Sequence, residues 1–299
     1  MPAYSQRPLH VLVCTLVLYL GAAGNATVAQ PVTPIREPLT WQTATGDKGF
    51  LSGTLRQHGY SSEVVEQLKE ARSSPNGFVR QAALCLLAAR LRQEAIPLLK
   101  EALEDPDQHV RIDATSLLGA LGDGSGIPML RRDLTTLAPL NGLPDPNLKD
   151  LQGEDLERAR GRWRNRHYRA IQVAEALSEL RDPSGLELAA RMALEGSAGM
   201  RGIAFRVLTN LALCDKSTLS GQVIDPLSVL VAAATSEANP AVLDMLSGSA
   251  HRLPNSMAKP VFERLVASPH LREKTRDRAA FRLKRIEKER AGGSRSEGR

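Results

Sequence analysis

Apolar residues recur at helical spacing in two consecutive segments that copy each other. Val79, Ala83, Leu87 and Leu91 follow at intervals of four residues, which places their side chains on one face of an α-helix. The pattern returns 31 residues further on; the matching pairs are Pro75 and Pro106, Val79-Arg80 and Val110-Arg111, Leu86-Leu87 and Leu117-Leu118, and Ile96-Pro97 and Ile127-Pro128. Self-similarity at this period predicts a solenoid, because each unit buries its apolar face by stacking on its neighbours.

The two copies predict four helices over residues 74–134, arranged as two antiparallel pairs. Ser74 and Asp105 are the expected N-caps, and Pro75 and Pro106 then take the first helical positions, where the missing N–H of proline costs nothing. The expected fold class is all-α, an α-solenoid of stacked antiparallel helix pairs. The side chains expected to be buried between its layers are Leu86, Leu87, Leu117 and Leu118.

Further units follow with weaker self-similarity. Residues 168–193 align with the second copy at an offset of 59, which is one period plus an insertion of 28 residues. Another unit begins near Met200, and Asn239-Pro240 predicts one more helix. Residues 276–283 have the spacing of a terminal capping repeat, which a solenoid needs to cover its last apolar face.

These patterns divide the chain into four parts. Residues 1–29 are the expected signal peptide and residues 30–58, rich in Pro, Thr and Gly, an extended linker. Residues 59–290 form the repeat domain, with an insertion at 135–165. Residues 291–299 are the expected disordered tail, because Gly, Ser and charged residues dominate them.

The two copies resemble a known repeat. Arg111-Ile-Asp-Ala114 and Gly119-Ala-Leu-Gly-Asp123 look like the short HEAT-like repeat that is also found in phycobilin lyases, and the likeness is strongest over residues 74–134. The resemblance implies that the arginine and aspartate positions of the repeat tie one unit to the next. Arg80, Arg111 and Asp123 stand at those positions.

The first 29 residues have the order of a secretory signal. Arg7 precedes an apolar run from Leu9 to Leu20, and small residues lead to a cleavage site near Ala29. The alternative is an uncleaved membrane anchor, although the apolar run is short for the roughly 20 residues that cross a bilayer. We therefore expect an exported protein, periplasmic or extracellular, that contacts a membrane only if this segment is retained.

Composition adds little to this picture. The chain has 299 residues, a net charge of +6 and only 4% aromatic residues, so its core must be built mainly from Leu, Ala, Ile and Val. The six histidines are scattered and no cysteine pair has metal-ligand spacing, so we expect no metal site. Gly122–Gly126 is interpreted as the turn within a repeat, and the sequence indicates no catalytic residue and no cofactor.

The insertion is the unusual feature of the chain. Its second half carries the densest run of arginines together with one of the two tryptophans, and both residue types are enriched at interface hot spots. An insertion in one repeat often projects from the binding face. The predicted partner-binding residues are Arg158, Arg162, Trp163 and Arg166 with the loop over 138–150, and the natural ligand is an acidic protein or a polyanionic polymer of the cell envelope. The alternative is a solvated helix whose charges pair internally.

The predicted function is therefore a non-enzymatic, exported scaffold of bacterial type that binds a protein partner on one solenoid face. Nucleic acid is not an expected partner of an exported protein. The alternative is a chromophore lyase or isomerase, by analogy with the resembling family. Shared repeats do not transfer an activity.

Overall fold

The structure is a computed structural model that describes residues 34, 39–46, 49–137, 152–215 and 217–293. Within these residues every regular element is a helix and no strand is present. The predicted signal peptide and the whole 138–150 loop lie outside the described residues. The helices are α1 Leu39–Thr45, α2 Phe50–Gln57, α3 Val65–Ala71, α4 Gly77–Leu91, α5 Ile96–Glu101, α6 Gln108–Ala120, α7 Ile127–Leu137, α8 Gly153–Glu179, α9 Leu186–Glu195, α10 Ala198–Ala212, α11 Pro226–Ser236, α12 Pro240–Ala250, α13 Asn255–Ala267 and α14 Glu273–Gly293.

Alternate helices stack in two layers. In one layer α4, α6, α8, α10, α12 and α14 each contact the next, and in the other α9 contacts α11 and α11 contacts α13. Neighbours along the chain join the layers, as α9 and α10 or α13 and α14 do. This arrangement is an all-α solenoid of stacked helix pairs, as the repeat pattern predicts.

The core lies between the layers and is mainly aliphatic. Residues 74–134 form the four expected helices α4 to α7, and the four leucines of the two copies are buried. The later units also appear where the pattern places them, since α9, α10 and α12 follow Asp182-Pro183, Ser197 and Asn239. The helices predicted from apolar spacing over 74–134 and after Asp182, Ser197 and Asn239 are therefore confirmed.

The helix starts of the first two repeats differ from the prediction. Asn76 is the N-cap of α4 and Asp107 the N-cap of α6, each accepting a hydrogen bond from the backbone N–H two residues on. Ser74 and Asp105 lie two residues earlier, where their side chains accept from the N–H of Asn76 and Asp107. The Ser-Pro and Asp-Pro pairs therefore form the turn before each helix, because the residue before a proline is disfavoured in helical conformation.

Ion pairs connect successive repeats. Arg80 binds Asp105 through Nε and Nη2, both at 2.7 Å, and its Nη1 donates to the carbonyl of Ser74 at 2.8 Å. Lys100 meets Asp123 at 2.8 Å and also joins the two copies, whereas Arg111 pairs with Asp133 at 2.6 Å within the second copy. The tie between units that the resemblance implied is therefore seen for Arg80 and Asp123, while Arg111 is structural but joins α6 to α7 of its own unit.

The prediction of an extended linker over 30–58 is wrong for its second half. Helices α1 and α2 occupy it, and both pack on α4. Leu51 and Leu55 are buried one helical turn apart, which is enough apolar surface to fix a helix on an existing scaffold. Two apolar positions are too few to define a helical period in the sequence. At the other end α14 continues to Gly293, three residues into the predicted tail.

Candidate functional site: two grooves with exposed phenylalanines

The five phenylalanines separate into two groups. Phe205 and Phe262 are completely buried, whereas Phe50, Phe78 and Phe281 are 78%, 71% and 73% exposed. Burying an aromatic side chain is among the largest favourable contributions to a core, so leaving three of five in water gives up stability. All three exposed rings line cavities, which marks those cavities as candidate binding sites.

The first cavity, here called the N-terminal groove, lies between α1, α2, α4 and α6. It encloses about 430 Å³ and its walls include Phe50, Phe78, Gln81, Cys85 and Asp113. That volume falls within the range of about 300–1,000 Å³ that is typical of ligand pockets. The two short helices that sequence patterning missed thus form one wall of the groove.

The carboxyl group of Asp113 has an unusual environment. Thr40 Oγ1 donates to Oδ1 at 3.0 Å and Gln81 Nε2 donates to Oδ2. Burial raises the pKa of this carboxyl group above its usual value, and the two hydrogen bonds act in the opposite direction. Among the described residues no lysine or arginine forms an ion pair with Asp113.

His58 closes the rim of the groove between α2 and α4. Its Nδ1 lies 3.0 Å from the carbonyl oxygen of Thr54, and its Nε2 lies 3.1 Å from Nδ2 of Asn76. These contacts assign the proton to Nδ1 and an accepting lone pair to Nε2. Since Asn76 is also the N-cap of α4, the ring ties the end of α2 to the start of the helix that carries Phe78 and Gln81.

The second site, here called the C-terminal groove, lies between α12 and α14. It consists of two adjoining cavities of about 550 and 580 Å³ that share His251 and Arg278. Phe281 lines one of them. The charged residues of the walls are mainly basic: Arg272, Lys274, Arg278, Arg282 and Arg285, against Asp244 and Asp277.

Part of this positive charge is compensated inside the groove. Asp244 accepts hydrogen bonds from Arg272 at 2.9 Å and from the hydroxyl of Thr275 at 2.5 Å. Nε of Arg282 is buried, and no acceptor among the described residues reaches it. A groove with this excess of cations attracts an anionic ligand.

The predicted partner-binding residues lie on α8. Arg158, Arg162 and Trp163 belong to this helix, but their side chains are outside the described residues. Arg166 is described, and it donates from Nε to the carbonyl of Leu137 at 2.8 Å and from Nη2 to that of Thr136 at 2.5 Å. It therefore satisfies the carbonyl groups at the end of α7. Partner binding by Arg158, Arg162, Trp163 and Arg166 stays a prediction.

The described residues contain no group of histidine, cysteine, aspartate and glutamate side chains arranged to hold a metal ion. In the same part of the chain, no helix combines the length and the apolar character that crossing a bilayer requires.

A comparison with family models identifies the repeats. The model of HEAT repeats matches residues 65–137, about a quarter of the chain, which span α3 to α7. This segment is therefore similar to HEAT repeats. The match confirms the resemblance that the residues around Arg111 and Asp123 indicated. No curated protein sequence matches the chain.

Both grooves were missed by sequence reasoning, although each left a signal. Phe50 and Phe78 each follow a glycine at the start of a helix, and Phe50 has no apolar neighbour three or four residues further on. Asp113 interrupts an otherwise apolar face of its repeat. On α14, Lys274, Arg278 and Arg285 recur at helical spacing with Phe281, a pattern that predicts one cationic and aromatic face.

Proposed function

We propose that the protein is a non-enzymatic interaction scaffold that is exported and holds a partner protein at its grooves. The observation that carries this proposal is the exposure of Phe50, Phe78 and Phe281 at cavities of an otherwise aromatic-poor solenoid. HEAT repeats support it, since stacked helix pairs offer extended surfaces to other proteins. Aromatic side chains are enriched at the centres of interfaces, where they are buried by the partner.

Export rests on the order of residues in the first 29 positions. A basic residue, an apolar run and small residues near Ala29 are typical of a signal peptide. On this basis the mature chain begins near Gln30 and acts in the periplasm or outside the cell. Intact-mass measurement after expression in an exporting host tests the cleavage. Recovery of the full-length chain with membranes would replace the signal peptide by an anchor.

An acidic segment of the partner is the proposed ligand of the C-terminal groove. Five basic side chains against two acidic ones line its walls, and Phe281 offers an apolar contact beside them. The arginines at 158 and 162, part of the densest arginine run in the sequence, are proposed as further contacts for the same kind of segment. Reversing their charge is expected to weaken capture and to leave the helical circular-dichroism signal unchanged.

The scaffold is tested by cross-linking the mature chain in its native envelope fraction and mapping the cross-linked peptides. Contacts should fall around the grooves, and Phe50→Ala, Phe78→Ala and Phe281→Ala should each reduce capture. Val223→Ala is the matched control, because Val223 is 99% exposed and lines neither groove. Equal capture by all four variants would show that the grooves are not the contact surface.

A second candidate function is a lyase or isomerase acting on a chromophore. One observation favours it: a partly buried acid and a buried thiol, Asp113 and Cys85, line the same cavity. The carboxyl group with the raised pKa would be the proton donor. Visible absorbance of the purified protein, alone and after incubation with a bilin, tests this candidate. A stable absorbance change that Asp113→Asn abolishes would favour it over the scaffold.

A further inference from the structure

We propose that the N-terminal groove binds an arginine side chain of the partner protein, with Asp113 receiving the guanidinium and Phe50 and Phe78 flanking it. The inference deepens the proposed scaffold function and rests on it. It commits the groove to one chemistry, a basic side chain, whereas the C-terminal groove has the opposite charge.

The repeat itself gives no reason for a carboxylate at position 113. The register of the repeats places Ala82, Gln172 and Ile203 at the equivalent positions, and none of them is charged. Ala82 is buried in the core as part of the packing between repeats. Ala82 also lines the groove, but Asp113 is only partly buried there and presents a carboxyl group to it. Its hydrogen bonds tie α6 to α1 and α4, and its partial exposure at the groove makes the carboxyl group accessible to a ligand as well.

Four buried or half-buried aspartates of the repeats have a basic partner within the fold. These pairs are Asp105 with Arg80, Asp123 with Lys100, Asp133 with Arg111, and Asp182 with Arg131. Asp113 has two neutral donors instead, Thr40 and Gln81. Bringing a carboxylate out of water without a counter-charge is costly. An external cation in the groove supplies the missing charge.

The hydrogen bonds of Asp113 leave room for a guanidinium. Each carboxylate oxygen has two acceptor sites, and each receives one internal donor, from Thr40 at Oδ1 and from Gln81 at Oδ2. One site therefore remains on each oxygen, the pattern that a guanidinium fork engages with two parallel N–H groups. A lysine ammonium is a point charge and does not use both oxygens in this way.

The aromatic rings favour the same ligand. Phe50 and Phe78 are exposed and line the groove that contains Asp113. Arginine is the cation found most often over aromatic faces, where the ring quadrupole attracts its planar group. The net contribution of such a contact grows as the partner excludes water from it. Carboxylate and rings together select a side chain that is flat, cationic and partly apolar.

The groups around Asp113 determine how the site responds to pH. His109 is the basic group whose charge favours the ionised carboxylate, and Asp107 is the acidic group that opposes it. His58 lines the groove as well, held by Thr54 and Asn76. Arginine binding should weaken when Asp113 is protonated at low pH, because the neutral acid no longer attracts the guanidinium.

The test uses the mature chain with all five phenylalanines replaced by 4-fluorophenylalanine and follows their fluorine NMR signals. Nα-acetyl-arginine methylamide is the probe, and the matched citrulline derivative is its neutral isostere. The signals of Phe50 and Phe78 should shift saturably with the arginine probe and hardly with citrulline. Phe205 and Phe262 are internal controls for the core, and Phe281 is the exposed control in the C-terminal groove.

Two variants assign the binding. Asp113→Asn should weaken the arginine probe at least about tenfold, the effect expected for losing a charge-assisted pair. Phe78→Ala, which removes an exposed ring, should also weaken binding while leaving the fold intact. Asp107→Asn is the matched control on the same helix, since asparagine serves equally well as an N-cap and already does so at Asn76.

The outcomes separate the inference from the proposed function. Equal shifts with citrulline, unchanged binding in Asp113→Asn, or an equal response at Phe281 would each overturn the arginine site. Sedimentation tests whether the chain dimerises in a way that depends on arginine. Such dimerisation would mean that a second copy of the chain occupies the groove, and it would overturn the arginine site as well. If the arginine probe fails but cross-links still map to the grooves, the scaffold stands and only this inference falls. If the probe binds but capture fails, the scaffold falls instead.

Discussion

The two grooves are lined by side chains of opposite charge. The N-terminal groove has a carboxylate at its floor and neutral donors around it, whereas the C-terminal groove has several arginines and compensates them only in part. Each has a phenylalanine at its rim that the core does not use. The repeats pack in a nearly uniform, aliphatic way. The binding specificity of such a scaffold therefore depends on the few side chains that depart from the repeat.

The supporting structure of the two grooves also differs. Arg80 of α4, a helix that forms part of the N-terminal groove, and Asp105 are both largely buried and joined by two hydrogen bonds. At the C-terminal groove the Arg272 side chain is 62% exposed where it meets Asp244. Exposed ion pairs are weak, so the Arg272–Asp244 pair is expected to contribute less to stability than the Arg80–Asp105 pair.

The largest expected effect is on the free energy of unfolding, and it tests whether the core packs equally well near both grooves. Leu117 on α6 and Leu246 on α12 are completely buried beneath them. Leu117→Ala and Leu246→Ala should each lower the free energy of unfolding by about 2–5 kcal/mol through the cavities they create. Chemical denaturation measures both, and Leu194→Ala at a half-exposed position is the control, expected within about 0.5 kcal/mol of the wild type. A cost below about 0.5 kcal/mol at Leu117 would contradict the packing described for α6.

The next effect breaks the two supporting ion pairs. Arg80→Ala leaves the partly buried carboxylate of Asp105 without its partner and should cost about 1–3 kcal/mol of stability. Arg272→Ala should cost no more than about 1 kcal/mol because that pair is exposed. The comparison of the two unfolding free energies is the measurement. Equal costs would mean that the two grooves are supported in the same way.

The sequence predicts the scaffold better than the sites. The leucines and the Val-Arg pairs follow one period, so each copy reinforces the assignment of the other. Asp113 has no such support, since its hydrogen-bond partner Thr40 lies 73 residues away on a short helix. Phe50 and Phe78 lie on different helices that meet only through tertiary packing. The position in the fold of a residue that departs from the repeat pattern cannot be predicted from that pattern.

A smaller effect concerns salt. Ligand capture by the C-terminal groove should weaken several-fold between low and physiological salt, because its arginines are exposed and the Debye length falls to about 8 Å. Arginine binding in the N-terminal groove should change less, since Asp113 lies in a more enclosed place. The titrations are repeated at matched ionic strengths, with a glutamate-rich peptide as the probe for the C-terminal groove. Equal salt dependence would contradict the difference in enclosure.

The smallest expected effect is a pH-dependent difference in melting temperature. An aspartate in the unfolded chain titrates near 3.8, and burial raises the folded pKa of Asp113 above that value. The folded state therefore binds this proton more tightly, so the contribution of Asp113 to stability falls as pH rises from the unfolded value through the folded pKa. Asp113→Asn has no such loss, so its melting temperature should rise relative to that of the wild type from acidic to neutral pH.

Asp123 provides a control of opposite sign. Burial favours its neutral form, but hydrogen bonds from Lys100 and Ser125 outweigh this effect and lower its pKa. Asp123→Asn should lose stability at neutral pH, and its deficit should shrink as pH falls through the folded pKa. If the difference in melting temperature between Asp113→Asn and the wild type is the same at every pH, burying the ionised carboxylate is not costly. That result would remove the physical reason for expecting a cation in the groove.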